Sequence, residues 1–206
     1  MAKTDARTII VGITGASGAV YARQILRLLD ADARVERICL VVSDAGMRLV
    51  ATELGINIPN DAQKLPSLLT GAPAKKIDCL SNRDIGASIA SGSAAVHAMI
   101  VAPCSAGAIG AIASGIASDL LTRAADVCLK ERRPLILCLR ETPLNRIHLE
   151  NMLRLHDAGA TVMPAMPAFY YRPDSIDDMV EQFSCRVLAQ AGLPQDRQYR
   201  WKGGKS

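Results

Sequence analysis

The stretch VGITGASGAVYARQIL, Val11 to Leu26, joins an apolar run to a helical pattern through a loop of small residues. Upstream of it, Arg7–Gly12 reads as a strand. Thr8, Ile9, Ile10 and Val11 run on without polar alternation, as expected of a strand covered on both faces. Downstream, Tyr21, Ile25, Leu28 and Leu29 recur on one face of a predicted helix over Ala19–Asp30. The glycines at 12, 15 and 18 suggest a phosphate cradle, but Gly12-x-x-Gly15-x-x-Gly18 is not the GxGxxG of dinucleotide folds. The short-chain dehydrogenase variant would need glycines where Ala19 and Val20 stand. It would also need a Tyr-x-x-x-Lys pair, and Tyr21, Tyr170, Tyr171 and Tyr199 all lack a lysine four residues on. Nicotinamide chemistry is therefore disfavoured. Backbone N–H groups and the Ser17 hydroxyl can still face an anion or a heteroaromatic edge, although a tight strand-to-helix turn explains the same residues.

The same alternation continues along the chain. Val35–Val42 is a second predicted buried strand, and Ser43 is placed to cap a helix reaching about Leu54. Residues 57–71 read as an irregular excursion with one short helix, followed by a short strand near Lys76–Cys79. Ala98–Ala102 is a strand ending in APCS, and Ala108–Ser114 and Asp119–Lys130 are helical. The segment RPLILCL, 133–139, is a strong buried strand. Pro143 is read as opening the first turn of a helix running to about Asp157. Ala160–Met163 is a last short strand. Ile176, Met179, Val180, Phe183 and Val187 mark one face of a final amphipathic helix. Apolar strands alternating with helices predict one doubly wound, mostly parallel α/β domain over 1–206. Ligands in that architecture sit outside the carboxyl ends of the strands, so the candidate loops are 12–18, 43–44, 103–108 and 140–143.

Composition narrows the functions that fit. Aromatics are 3% of the 206 residues and the net charge is +4 with the basic residues dispersed, which gives nucleic acid neither a stacking platform nor a basic stripe. No apolar segment reaches the roughly 20 residues that a spanning helix needs. The N-terminus lacks a long apolar leader core. The six scattered cysteines form no CxxC pair and read as reduced core hydrophobes. The expectation is a cytoplasmic protein that handles anionic small molecules.

Three further constellations stand out. IASGSAAVHAMIVAPCSAGAIGAIASG, 89–115, places small-residue turns on either side of one buried strand, which suits either a flat ligand or a tight Ala/Gly helix interface. Cys104 there has no evident His/Asp partner, so a cysteine nucleophile is disfavoured. Arg140-Glu141 follows a buried strand, where a guanidinium could hold an anion while a carboxylic acid protonates a leaving oxygen. Arg132 and Arg133 read as a solvated helix face. Prolines at 164, 167 and 173 stiffen a segment that displays Phe169, Tyr170 and Tyr171, and Arg186 follows one helix later. Tyr170 and Arg186 could grip a phosphate, or the segment could pack on a neighbouring subunit. His148 and His156 lack a carboxylate pattern for a metal.

TGASGA, ATE, ASGS, PCS, LLTRAADVCLKERRPLILCLRETPLNRIHLENM and PAFYYRP together resemble the UbiX-type flavin prenyltransferases over nearly the whole chain, through GLPQDRQYRW. The resemblance implies a flavodoxin-like Rossmann subunit in a homododecamer that needs no metal. It implies transfer of a dimethylallyl group from dimethylallyl monophosphate to N5 and C6 of reduced FMN, giving prenylated FMN for a UbiD-type decarboxylase. Matched residue by residue, it assigns Gly15, Ala16, Ser17, Ser43, Ser105, Ala106, Gly107, Ala108 and Arg140 to FMN. Ala90, Gly92 and Ser93 would line the pocket between flavin and prenyl chain. Arg123, Lys130, Arg140, Tyr170 and Arg186 would grip the prenyl phosphate, some across subunit boundaries. Glu141 would assist phosphate departure, and Ser17 and Glu53 would handle the N5 proton. Two positions depart from the pattern: Ala108 stands where many relatives carry a threonine, and Ala94 where some carry an aromatic. A cysteine decarboxylase-like flavoprotein is the alternative activity, but it would want a catalytic histidine after the first helix, which is missing. A non-catalytic flavin carrier would have no use for Glu141, Lys130 and Arg186.

Overall fold

The computed structural model describes residues 7–201; the N-terminal hexapeptide, part of the segment read above as lacking a leader core, lies outside the described residues. The opening stretch forms β1 (Arg7–Ile13) and α1 (Ala19–Ala31), followed by β2 (Val35–Val42), α2 (Asp44–Leu54), α3 (Leu65–Thr70) and β3 (Ile77–Leu80). The second half comprises β4 (Ala98–Cys104), α4 (Ala106–Ala113), α5 (Leu120–Lys130), β5 (Leu135–Leu139), α6 (Arg146–Asp157), β6 (Thr161–Val162) and α7 (Ile176–Gln190). Every strand pairing is parallel, and the six strands run in the order β3-β2-β1-β4-β5-β6. The chain winds outward from β1 to β3, then returns to the middle and winds the other way. The connections therefore diverge between β1 and β4 and leave a crevice at their carboxyl ends.

Both faces of the sheet are covered. Ile9, Val11, Ile13, Ile38 and Leu40 point to a layer made by α1, α2, α3 and α7. Ile10, Met99, Val101 and Leu137 point to α4, α5 and α6. That two-sided cover is why these strands read as unbroken apolar runs. The helix starts follow local chemistry. Ser43 accepts from Gly46 N, Ser105 from Ala108 N and Asp119 from Thr122 N, so each helix begins where its cap stands. Because Ser105 is the cap, α4 begins at Ala106, two residues before the sequence reading.

Two expectations fail. Pro143 does not open α6. Asn145 accepts from His148 N at 2.9 Å, and the His148 ring accepts from Asn145 N at 3.4 Å. This reciprocal box sets the helix start at Arg146, and Pro143 stays in the exposed 140–145 loop. Ile176 is periodic with the buried face of α7 but is 70% exposed; it is the first residue of the helix, whose buried face begins one turn later at Val180.

Candidate functional site

The crevice is built around a residue the sequence reading passed over. Thr14, the first residue after β1, is buried. Its hydroxyl donates to Pro103 O at 2.9 Å and accepts from Ser105 N at 2.8 Å. A single side chain thus ties the end of β1 to the end of β4 and aims the Ser105 cap. Its signal was local, a threonine at a strand end, but its partners are about ninety residues away and invisible without the strand order. Thr14→Val removes both bonds at nearly constant volume and leaves the Ser105 N–H buried without an acceptor. It is expected to cost about 1–3 kcal/mol of stability in denaturant unfolding and to weaken flavin binding, with Thr14→Ser close to wild type.

A cleft of about 320 Å³ opens above this tie, lined by Thr14, Gly15, Ser43, Ser105, Gly107, Ala108 and residues of the α4–α5 turn. Several of the predicted FMN residues therefore share one cavity. The glycines act differently than a phosphate cradle suggests. A Cβ on Gly15 would stand 2.5 Å from Ala45 Cβ, so this glycine lets the loop pack on α2. Gly18 adopts φ +121° as it turns into α1. Gly107 faces open space, where only the Ser105 hydroxyl comes within 4 Å, leaving room for a ligand against the first turn of α4. Ala16 and Ala106 are buried and do not line the cleft. Ala108 lines the cleft as a methyl group and brings no hydroxyl.

Beside the cleft, Ser17, Glu53 and Arg140 meet from three elements. Glu53 Oε2 accepts from Gly18 N at 2.9 Å and Ala19 N at 2.8 Å, closing the start of α1 from the end of α2. Burial pushes its carboxyl up, but the Ser17 hydroxyl bond, the two amides and the Arg140 charge outweigh it and leave it below its ordinary value. Glu53 is therefore an anion with the Ser17 hydroxyl held against it, an arrangement able to hold or pass a proton. Arg140 is seated by its own N–H donating to Cys104 O at 3.0 Å. Its Nε is buried and has no hydrogen-bond partner among the described residues. A buried guanidinium N–H without an acceptor is costly unless a ligand supplies one. Glu141 follows on the exposed loop, its carboxylate accepting from Thr142 N at 3.1 Å and forming no ion pair among the described residues. Cys104 lies under the same turn, and burial pushes its thiol up to about 12, which keeps it protonated and unreactive.

Tyr170 and Arg186 come together in a second pocket of about 290 Å³, which shares no lining residue with the first. Its wall from Met163 to Ala168 leaves β6 beside β5, with Ala165 N donating to Leu139 O at 2.7 Å, one residue before Arg140.

The remaining predicted residues line neither pocket, although Arg123 follows Thr122 of the first cleft in the opening turn of α5. Ala90, Gly92 and Ser93 run along α5 toward the amino edge of the sheet. Arg123 Nε donates to Ala90 O at 3.2 Å, and Arg133 Nη2 donates to Gly92 O at 2.6 Å. Lys130 ends α5 there, paired with Glu131 at 2.7 Å. Pro134 O accepts from Met99 N at the opposite end of β4 from Ser105. The seven residues of β4 span roughly 20 Å, so the two turns expected to flank one flat ligand stand at opposite ends of the subunit. Arg133, read as solvated, instead pins this turn. Among the described residues no group of three or more His, Cys, Asp or Glu side chains could hold a metal ion, and no helix is long and apolar enough to cross a membrane.

A sequence profile of the flavoprotein family matches residues 2–184. The flavin prenyltransferase UbiX of Pseudomonas aeruginosa is 45% identical over 197 residues, 94% of this chain and 93% of that protein. The UbiX of Escherichia coli K12 is 42% identical over 199 residues, 96% of this chain and 99% of its own. Among solved structures, a UbiX protein in complex with FMN and dimethylallyl pyrophosphate superposes with a TM-score of 0.84 at 37% identity, covering 97% of this chain and 100% of that one. A dodecameric FMN-dependent UbiX-like decarboxylase from Escherichia coli O157:H7 gives 0.83 at 38% identity, covering 95% and 100%. An FMN-dependent cysteine decarboxylase shares the fold alone, at 18% identity and a TM-score of 0.62. With a fold, a crevice and a full-length match all in agreement, the chain belongs to the flavoprotein family and, within it, to the UbiX flavin prenyltransferases.

Proposed function

We propose that this chain transfers a dimethylallyl group from dimethylallyl monophosphate to N5 and C6 of reduced FMN, and that the product serves a UbiD-type decarboxylase. The observation that carries the reading is the buried Nε of Arg140, without a hydrogen-bond partner among the described residues. The backbone of Arg140 is tied to Cys104 at the end of β4, and its charge acts on Glu53. The residues fit a flavin nucleotide. The Ser43 and Ser105 helix starts and the open space at Gly107 suit an anion and a close-lying ribityl chain, and Ser17 with Glu53 suits a ring nitrogen that must exchange a proton. When bound, reduced flavin supplies the electron-rich atoms that take the allyl group.

The chain's own residues handle the phosphate and the protons. Breaking the allylic C–O bond leaves its electron pair on the phosphate oxygen. Arg140, Tyr170 and Arg186 hold that growing charge, and Glu141 delivers a proton to it. With a flavin bound, the Ser17 hydroxyl would relay a proton from N5 to the anionic Glu53 carboxylate that accepts its hydrogen bond. Lys130, Gly92 and Ser93 act in the same chemistry from a neighbouring copy, since one subunit keeps them toward the far end of its sheet. Arg123, in the first turn of α5 beside Thr122 of the first cleft, acts together with Ala90, whose carbonyl it holds. The dodecameric relative supports such an assembly, and we read this chain as a homododecamer. The cysteine decarboxylases at 18% identity share only the layering and carry no second activity to this chain.

Incubating the protein anaerobically with reduced FMN and dimethylallyl monophosphate, then weighing the flavin by mass spectrometry, tests the reading directly. A five-carbon mass gain is expected. Tight FMN binding without any gain, with either the mono- or the diphosphate, would overturn it in favour of a carrier.

A further inference from the structure

The pocket of Tyr170 and Arg186 is completed by the chain that follows α7. After α7 the chain turns back, and residues 195–201 lie across that helix without regular structure. Gln182 stands one helical turn before Arg186 on α7, so the two share a face. Both ends of its amide engage the returning chain: Oε1 accepts from Tyr199 N at 2.7 Å, and Nε2 donates to Arg197 O at 3.0 Å. Two outer ties support this latch. Arg197 pairs with Glu181 at 3.1 Å, and Gln195 Nε2 donates to Asp32 Oδ2 at 3.0 Å.

The latched segment brings rings to the pocket. The Tyr199 ring lies 5.4 Å from Tyr170 and 5.7 Å from Tyr171, and Trp201 meets Tyr170 edge-on at 6.0 Å. Gln182 and Tyr199 themselves line the cavity beside Arg186. Tyr170 is 59% exposed, so contacts from the strap and from Tyr171 are what restrict its ring. The Tyr171 hydroxyl is buried with no hydrogen-bond partner among the described residues, a second sign that an acceptor from a ligand belongs in this pocket.

We propose that residues 195–201 form a strap, latched by Gln182, which walls the prenyl-phosphate pocket and holds Tyr170 in position, making Gln182 and Tyr199 positioning residues for prenyl-phosphate binding. The proposal rests on the reading that Tyr170 and Arg186 grip the phosphate. Ordering an irregular segment costs conformational entropy, which the polar ties and ring contacts offset. A ligand seated beneath the strap adds contacts to that balance, so phosphate binding and strap closure favour one another reciprocally.

The test uses the full-length chain as Gln182→Leu, Tyr199→Ala, Tyr199→Phe and Arg186→Ala, with FMN binding as the control for folding. Gln182→Leu and Tyr199→Ala are expected to raise KM for dimethylallyl monophosphate about tenfold while kcat and FMN affinity stay near wild type. Tyr199→Phe keeps the ring and the backbone N–H and should match wild type. Trp201 is the sole tryptophan, so its fluorescence anisotropy reports the strap itself. It should rise when inorganic phosphate or dimethylallyl monophosphate is added to wild type, and not in Gln182→Leu. If Arg186→Ala raises KM but the Gln182 and Tyr199 variants leave it unchanged, the strap proposal is overturned and the phosphate reading stands. If Arg186→Ala also leaves KM unchanged, the phosphate reading falls, and the strap proposal with it.

Discussion

Glu141→Gln is expected to bind FMN as tightly as wild type and to slow prenyl transfer about 10²–10⁴-fold, the usual contribution of a positioned general acid. The substitution keeps the size of the side chain and an oxygen that can accept from Thr142 N, as the Glu141 carboxylate does. What it removes is the proton. Phosphate leaves an allylic carbon readily only when its new charge is met, and Arg140 beside it can stabilise that charge but cannot protonate it at working pH. Glu141 lies on an exposed loop, outside every ion pair among the described residues, so the variant should also melt at the wild-type temperature. Single-turnover mixing with preformed reduced FMN complex, quenched and read by mass, separates the chemical step from binding. A single-turnover rate equal to wild type would remove Glu141 from the mechanism.

Lys130→Met and Arg140→Met should each be nearly inactive alone and should restore activity when mixed. The two residues stand at opposite edges of the sheet, with the seven residues of β4 between the turns that carry them. If a working site joins the Arg140 end of one copy to the Lys130 end of another, an inactive mixture contains whole sites. With the subunits shuffled one to one, an intact Arg140 end occurs in half the copies, and an intact Lys130 end faces it half the time. About one quarter of the sites should then be whole, the arithmetic of a head-to-tail interface. Dissociating the two variants together, reassembling them and assaying the mixture reads this out. Activity no higher than that of the separate variants would place both residues in one subunit's site or assign Lys130 no role.

The elements were legible in the sequence because their causes are local. The run of β2, the Ser43 cap and the apolar periodicity of α1 each depend on residues a few positions apart. Pro143 misled because a better cap, Asn145, stood two residues on, and both are acceptable helix signals when read alone. Ile176 misled because periodicity reports a face and not how far the layer beneath it extends. The resemblance supplied the site residues, yet nothing in sequence distance distinguished Ser105 and Arg140, which share a crevice, from Gly92 and Lys130, which do not.

By itself the sequence determined the α/β class, the loops that end the strands and the chemical types gathered there, since hydrophobic period, caps and functional groups are properties of short segments. The tertiary structure alone decided which loops meet. Placing β1 beside β4 is a long-range packing choice. It joins Thr14 to Pro103 and Ser105 and leaves Arg140 Nε buried without a partner among the described residues, while the same strand length carries Lys130 to the other end of the sheet. The rigid span of a parallel strand, roughly 3.3 Å per residue, is the physical reason that one chain brings together only part of the set of residues the chemistry calls for.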